Sequence, residues 1–393
     1  MPVKSGADAY VRGGPSVRLC NSATFVVWFS ACVFARKPTG ASAAVRGDRP
    51  TVRIIARIPS LAYSAASANL KLMQTRPIPK TNLTVPRVCF GTMTFGSQVD
   101  QSAAQTIIDY LLDQDLNFLD TANVYNQGES ERILGRCIQG RRDKVILASK
   151  VRGRMNDAGY EGLSKPAILR AIDDSLQRLQ TDYLDVYYLH QPDYAVPIEE
   201  SLDALETLVK AGKIRFPALS NYAAWQVTQA QWIASTHGYT PATVTQPMYN
   251  LLARGLEQEY LPMCAQLGIF TCIYNPLAGG LLTGKQQKSA PVAGSRFDKN
   301  QMYLDRYWHP AYFEAVDTLA AAAANHGRSL ASLALNWLYH HSAADCLILG
   351  ASRIEQLKEN IGTLAEGPVP EPLILTCDTV WATLRGVTPK YNR

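Results

Sequence analysis

The chain has 393 residues, is 47% hydrophobic and 18% charged, and carries a formal charge of +6. No run approaches the roughly eighteen apolar residues of a spanning helix, and the balance is that of a soluble globular protein with material for a large core. The net charge does not point to nucleic acid: residues 1–80 hold 12 Lys and Arg against Asp8 and Asp48, whereas the other 313 residues hold 27 basic and 31 acidic side chains.

The first eighty residues are rich in Ser, Ala and Arg and lack helical or strand periodicity. Those features suit a mitochondrial transit peptide. The short apolar run Ala23–Phe34, after Lys4, Arg12 and Arg18, admits a secretory signal, although many unpaired cysteines argue against export. A third reading is a disordered extension ahead of a start at Met73. Residues 1–80 are therefore read as an extension and residues 81–393 as the working domain. The expected compartment is the cytoplasm, or the mitochondrion if residues 1–72 are a transit peptide. The eight cysteines show no CxxC and no pairing pattern, and the six histidines show no zinc spacing. Buried free thiols and no metal are expected.

After Pro86 short apolar runs alternate with longer amphipathic stretches. The predicted strands are Arg87–Met93, Asn117–Ala122, Val145–Lys150, Val186–His190, Phe216–Asn221, Thr243–Met248, Ile269–Asn275 and Cys346–Ala351. Between them, apolar residues recur with a helical period. Ile168, Ile172, Leu176 and Leu179 line one face of the helix after the third strand, with Ser164 as N-cap and Pro166 in its first turn. Leu202, Leu205 and Val209 stripe the next helix, and Gly212 ends it. Eight strand–helix units predict an α/β fold, a single (β/α)8 TIM barrel with parallel strands. A doubly wound sheet is the competing architecture, but no GxGxxG follows the first strand, because GTMTFG (Gly91–Gly96) has the wrong spacing. A long insertion, Ala278–Pro310, follows the seventh strand and reads as a binding loop.

Chemistry in such a barrel sits at the C-terminal strand ends. There the chain places Asp120 and Tyr125 (FLDTANVY), Lys150 (ILASK), His190 (YYLH), Ser220 and Asn221 (LSN), and Gln246 (TQPMYN). A tyrosine titrating near pH 10 is a poor acid at neutral pH, and a nearby lysine would lower that value. An aspartate would hold the lysine charged, and a histidine would orient a carbonyl. Together they make a proton donor for a carbonyl that receives a hydride.

With these residues the chain from Gln74 onward resembles the aldo-keto reductases. The resemblance rests on FLDTANVY, the lysine and histidine ending the next two strands, LSNY and NPLAGGLLTGK. RYW (Arg306–Trp308), LILGAS, EQLKEN and the closing YNR bring it near the aflatoxin-aldehyde-reductase branch.

The resemblance implies reduction of aldehydes, or ketones, with NADPH/NADP+ as cofactor, and a tetrad of Asp120, Tyr125, Lys150 and His190 with Tyr125 as general acid. It implies that Ser220, Asn221 and Gln246 hold the nicotinamide carboxamide and that Tyr274 stacks on the ring. The loop Asn275, Pro276, Leu277, Ala278, Gly279 to Lys285 would approach the pyrophosphate, joined by Arg296. Gly350, Ser352, Arg353, Gln356, Glu359 and Asn360 match the adenosine end, with Ser352 and Arg353 suited to a 2′-phosphate. For the substrate, Met93, Phe95, Tyr307 and Trp308 would form an apolar wall, with Arg306 and Arg393 as carboxylate anchors. The partner is a small carbonyl compound, with no nucleic acid or membrane; a homodimer is allowed. A specialised reductase of a secondary-metabolite pathway, or a cofactor-binding regulatory subunit like the potassium-channel β subunits, are the alternatives.

Overall fold

The computed structural model describes residues 74–155 and 162–387. Residues 1–73, with the transit, signal and start-site readings placed on them, and Arg393 lie outside the described residues. The described chain opens with an antiparallel hairpin, β1 (Thr75–Pro77) and β2 (Thr84–Pro86), which the sequence reading missed. Its Ile78, Leu83 and Val85 pack with the inward side chains at the start of the barrel strands, such as Phe118, Val244 and Phe270. The hairpin thus stops the lower end of the barrel, and a domain boundary at residue 80 would cut through it.

Eight parallel strands follow: β3 (Val88–Gly91), β4 (Phe118–Asp120), β5 (Ile146–Val151), β6 (Leu184–Leu189), β7 (Ile214–Ser220), β8 (Val244–Gln246), β9 (Phe270–Ile273) and β10 (Cys346–Leu349). Each pairs with the next, and β10 returns to β3 with Leu347 opposite Val88, so the sheet closes. Closure excludes the doubly wound alternative, and each predicted strand overlaps an observed one.

Alternate residues of a strand face opposite sides. Outward Tyr187 and Leu189 pack under the helices, whereas Val186 and Tyr188 fill the barrel. Continuing the inward phase of each strand past its filler residues leads from Phe118 to Asp120, Ala148 to Lys150, Tyr188 to His190, Ala218 to Ser220, Val244 to Gln246 and Cys272 to Tyr274. One periodicity both plugs the barrel and delivers the polar set to its mouth.

The outer layer comprises α1 (Gln101–Asp113), α2 (Glu129–Cys137), α3 (Lys165–Leu179), α4 (Ile198–Lys210), α5 (Ala224–His237) and α6 (Tyr260–Leu267). The insertion carries α7 (Gln301–Tyr307) before α8 (Pro310–Ala324) and α9 (Leu330–His341), and α10 (Ile354–Leu364) and α11 (Glu371–Arg385) end the fold. Ser164 does occupy the N-cap of α3, but its side chain does not cap. The Lys165 N–H donates instead to the Glu200 carboxylate of α4 at 2.8 Å, so the neighbouring helix supplies the acceptor. The six described cysteines are free and buried. Among the described residues no helix is long and apolar enough to cross a membrane.

Helices α2 and α3 meet at Gly135, where an added Cβ would lie 2.7 Å from the Leu179 backbone. Alanine normally favours a helix over glycine by about 1 kcal/mol. Here the close approach should reverse that sign: Gly135→Ala is expected to lower stability by about 1–3 kcal/mol, read as a lower denaturant midpoint.

Candidate active site

Lys150 stands one residue before the end of β5 with no exposed side-chain surface. Its Nζ donates to Asp120 Oδ2 at 2.5 Å, to the Thr121 carbonyl at 2.8 Å and to the Tyr125 hydroxyl at 3.4 Å. The other oxygen of Asp120 accepts from Gln246 Nε2 at 3.0 Å, across the barrel from β8. Ser149, pointing the opposite way, donates to Glu131 of α2, which also accepts from Arg178 Nε at 2.7 Å. Both faces of β5 are therefore held around the ammonium.

Tyr125 comes from a short 3-10 turn, Tyr125–Gly128, rather than from a strand. Asn126 and Gln127 take φ values of 49° and 55° there, a left-handed conformation that Asn tolerates comparatively well. The Asn126 amide donates to the carbonyls of Phe95 at 2.6 Å and Met93 at 3.0 Å, tying the turn to the loop after β3. The His190 ring stands edge-on to Tyr125 with centroids 5.9 Å apart.

Burial pushes the Tyr125 hydroxyl above its ordinary value, and the adjacent Lys150 charge opposes this without overcoming it. The expected downward shift is thus corrected: the lysine's pull is present, but desolvation of a phenolate is larger. The group keeps its proton at neutral pH. Burial would depress Lys150, yet Asp120 and Tyr125 outweigh it and raise the ammonium above its usual value. Burial, reinforced by the Lys150 and Arg152 cations, lowers His190 to about 3, so its imidazole is neutral. The arrangement presents a phenol proton beside a fixed positive charge and a neutral imidazole.

A cleft of about 720 Å³ opens over these groups. Ser220, Asn221, Gln246 and Tyr274 line one wall and are mutually bonded. Ser220 donates to the Gln246 carbonyl at 3.0 Å, and the Tyr274 hydroxyl donates to Asn221 Oδ1 at 2.6 Å. The cleft continues along Asn275, Pro276, Leu277 and Gly279 to Lys285 and Arg296, then to Gly350, Ser352, Gln356 and Asn360. Asn275 leaves a buried Nδ2 without a hydrogen-bond partner, and Arg296 reaches over Gly350, 3.5 Å from where a Cβ would stand. An elongated cleft with an amide-matching wall, an orphaned amide donor and two cations fits an extended, phosphorylated dinucleotide.

A family model for the aldo/keto reductase family matches residues 87–381. Aflatoxin B1 aldehyde reductase member 2 of Rattus norvegicus is 35% identical over 323 residues, spanning 78% of this chain and 88% of the rat protein. The Homo sapiens protein of the same name is 35% identical over 342 residues, spanning 82% and 92% respectively. A probable voltage-gated potassium channel subunit beta of Arabidopsis thaliana is 33% identical over 310 residues, 77% of this chain and 94% of its own length. The chain belongs to the aldo/keto reductase family. It is an oxidoreductase, with relatives in the aflatoxin-aldehyde-reductase branch that the sequence resembles.

Several expected residues of this reductase do not face the cleft. Phe95 is wholly buried against Phe90, with centroids 5.9 Å apart. Tyr307 is buried, and its hydroxyl accepts from the Asn250 amide at 3.0 Å. Trp308 packs between Phe297 at 5.3 Å and Phe313 at 4.9 Å. Phe95 thus fills the core after β3, and Tyr307 and Trp308 pin the insertion to the body instead of walling a pocket, because large apolar rings gain from burial. Ala278 is likewise buried, and Gly279 is required by packing, since a Cβ there would meet the Tyr303 ring at 2.7 Å. Arg353 and Glu359 are exposed and outside the cleft lining. Met93 and Arg306 do line it, together with Val124, Arg152, Met302 and Tyr303, which the sequence reading did not single out.

A neutral His190 has a direct signature. The folded value lies below the unfolded one of about 6.5, so the unfolded chain binds the proton first as pH falls. His190 therefore removes stability progressively from about pH 6.5 down toward its folded value. NMR of the imidazole carbons, assigned with His190→Gln, should show no titration of His190 between about pH 5 and 8, where an ordinary histidine would titrate.

Proposed function

We propose that this reductase converts aldehydes to alcohols with NADPH, Tyr125 protonating the carbonyl oxygen. The observation that carries the reading is the buried chain Asp120–Lys150–Tyr125 at the foot of the cleft. The hydroxyl keeps its proton until a negative oxygen develops beside it. Lys150, held charged by Asp120, then stabilises the phenolate left behind. His190, neutral and adjacent, is suited to hydrogen-bond the same oxygen and fix its direction.

Ser220, Asn221 and Gln246 would hold a nicotinamide carboxamide, with Tyr274 against the ring. Lys285 and Arg296 would neutralise the pyrophosphate, and Ser352, Gln356 and Asn360 would receive the adenosine. The chemistry supplied by the bound cofactor is hydride donation to the carbonyl carbon. Arg353, exposed at the N-cap of α10 beside Ser352, supports a 2′-phosphate. Met93, Val124 and Met302 offer apolar contact to the substrate, and Arg306, which lines the cleft 5.8 Å from the Tyr303 ring centre, is an anchor for an acidic one.

Tyr125→Phe should lower kcat/KM for a nitrobenzaldehyde by about 10²–10⁴-fold, followed as loss of NADPH absorbance. A quinone, which needs less proton assistance, should retain more activity. Near-normal aldehyde turnover by the variant would refute Tyr125 as the acid. Arg353→Ala should raise the KM for NADPH by about tenfold or more while leaving NADH nearly unchanged; equal changes for both would remove the 2′-phosphate assignment.

A further inference from the structure

Arg152 follows Lys150 by two residues, in phase with Ala148 and Lys150, and lines the cleft beside Val124 and His190. Its backbone has φ 145°, a conformation in which glycine is favoured over any side chain. It is locked there on both sides. The Gly162 N–H donates to the Arg152 carbonyl at 3.3 Å, and Gly153 lies so close to Val124 that a Cβ would approach within 2.5 Å. An arginine kept at a glycine-favouring position, inside a reactive cleft, is strain retained at a site where a function would justify it.

Its guanidinium is also uncompensated. Arg152 Nε is buried without a hydrogen-bond partner, and among the described residues the side chain meets no carboxylate in an ion pair. The nearby acid Asp193 is committed elsewhere: Oδ2 accepts from the Leu163 N–H at 2.9 Å and Oδ1 from the Ala195 N–H at 3.1 Å. Asp120, the one carboxylate among the described residues lining the cleft, is held by Lys150 and Gln246. The other facing groups are the paired Lys150, the neutral His190 and the Tyr222 hydroxyl. A half-buried guanidinium whose Nε is buried without a partner gains from an anion arriving in the cleft.

We propose that Arg152 is a specificity-determining residue that binds the carboxylate of the substrate, on the His190 side of the cleft and separately from Arg306. Because His190 stands beside Tyr125, a carboxylate held there lies close to the reacting carbonyl. Arginine's planar fork suits a carboxylate, which it can engage through two parallel N–H groups.

The proposal deepens the reductase reading and rests on it for the word substrate, so its test includes binding without turnover. Benzoate and benzamide, alike but for charge, are titrated calorimetrically against the full chain, Arg152→Gln and Arg152→Gly. Both variants should bind benzoate at least about tenfold more weakly than wild type, with benzamide affinity within about twofold. The glycine variant relieves the backbone, so it should fold at least as stably and still lose benzoate. In turnover, kcat/KM for 4-carboxybenzaldehyde should fall about tenfold or more while 4-nitrobenzaldehyde changes little. Unchanged benzoate affinity, or equal losses for benzoate and benzamide, would overturn the assignment. Absent turnover of every aldehyde by the wild-type protein would instead overturn the reductase reading and leave the benzoate comparison decisive.

Discussion

An ammonium with no exposed surface stands at the mouth of this barrel, and the active-site geometry depends on how it is balanced. Removing water from Lys150 costs several kcal/mol, and only a close carboxylate with further acceptors offsets it. Asp120 comes from the neighbouring strand, whose register sets Asp120 opposite Ala148, and it approaches to 2.5 Å. Gln246, from the far side of the barrel, holds the other oxygen of Asp120. A pair that looks local is therefore a consequence of sheet closure: strands β4, β5 and β8 meet at one point only because β10 returns to β3.

That pair organises the charges around it. The raised Lys150 value keeps the ammonium positive, its field helps keep His190 neutral, and burial keeps Tyr125 protonated. Three groups that titrate far apart in water are set in complementary states by one desolvated pocket. Away from this point the cleft carries Lys285 and Arg296 along its long arm and Arg152 and Arg306 near Tyr125. The mildly acidic body of the chain thus turns a basic lining into the cleft, as the proposed anionic cofactor and the carboxylate proposed for Arg152 require.

The strands were legible because fully buried parallel strands read as short apolar runs, and the polar residues that end them stand out. Asp120, Lys150, His190, Ser220 and Gln246 were found that way, and Arg152 was available to the same rule, being in phase with Lys150. Tyr125 was legible only through the FLDTANVY motif, since it sits in a turn braced by Asn126. The hairpin at β1 and β2 escaped because three-residue strands carry too little pattern to register. Phe95, Tyr307 and Trp308 were assigned to a pocket because an aromatic that walls a site and one that fills a core have the same local signature.

The sequence by itself determined the βα alternation, the inward phase of each strand and the identity of the groups at the strand ends, because these depend on neighbours one to four positions away. Tertiary structure alone decided which aromatics were buried, which acceptor capped α3, and that burial of Tyr125 outweighs the pull of Lys150. Burial and electrostatic balance are sums over residues distant in the chain, and those sums exist only once the barrel has closed.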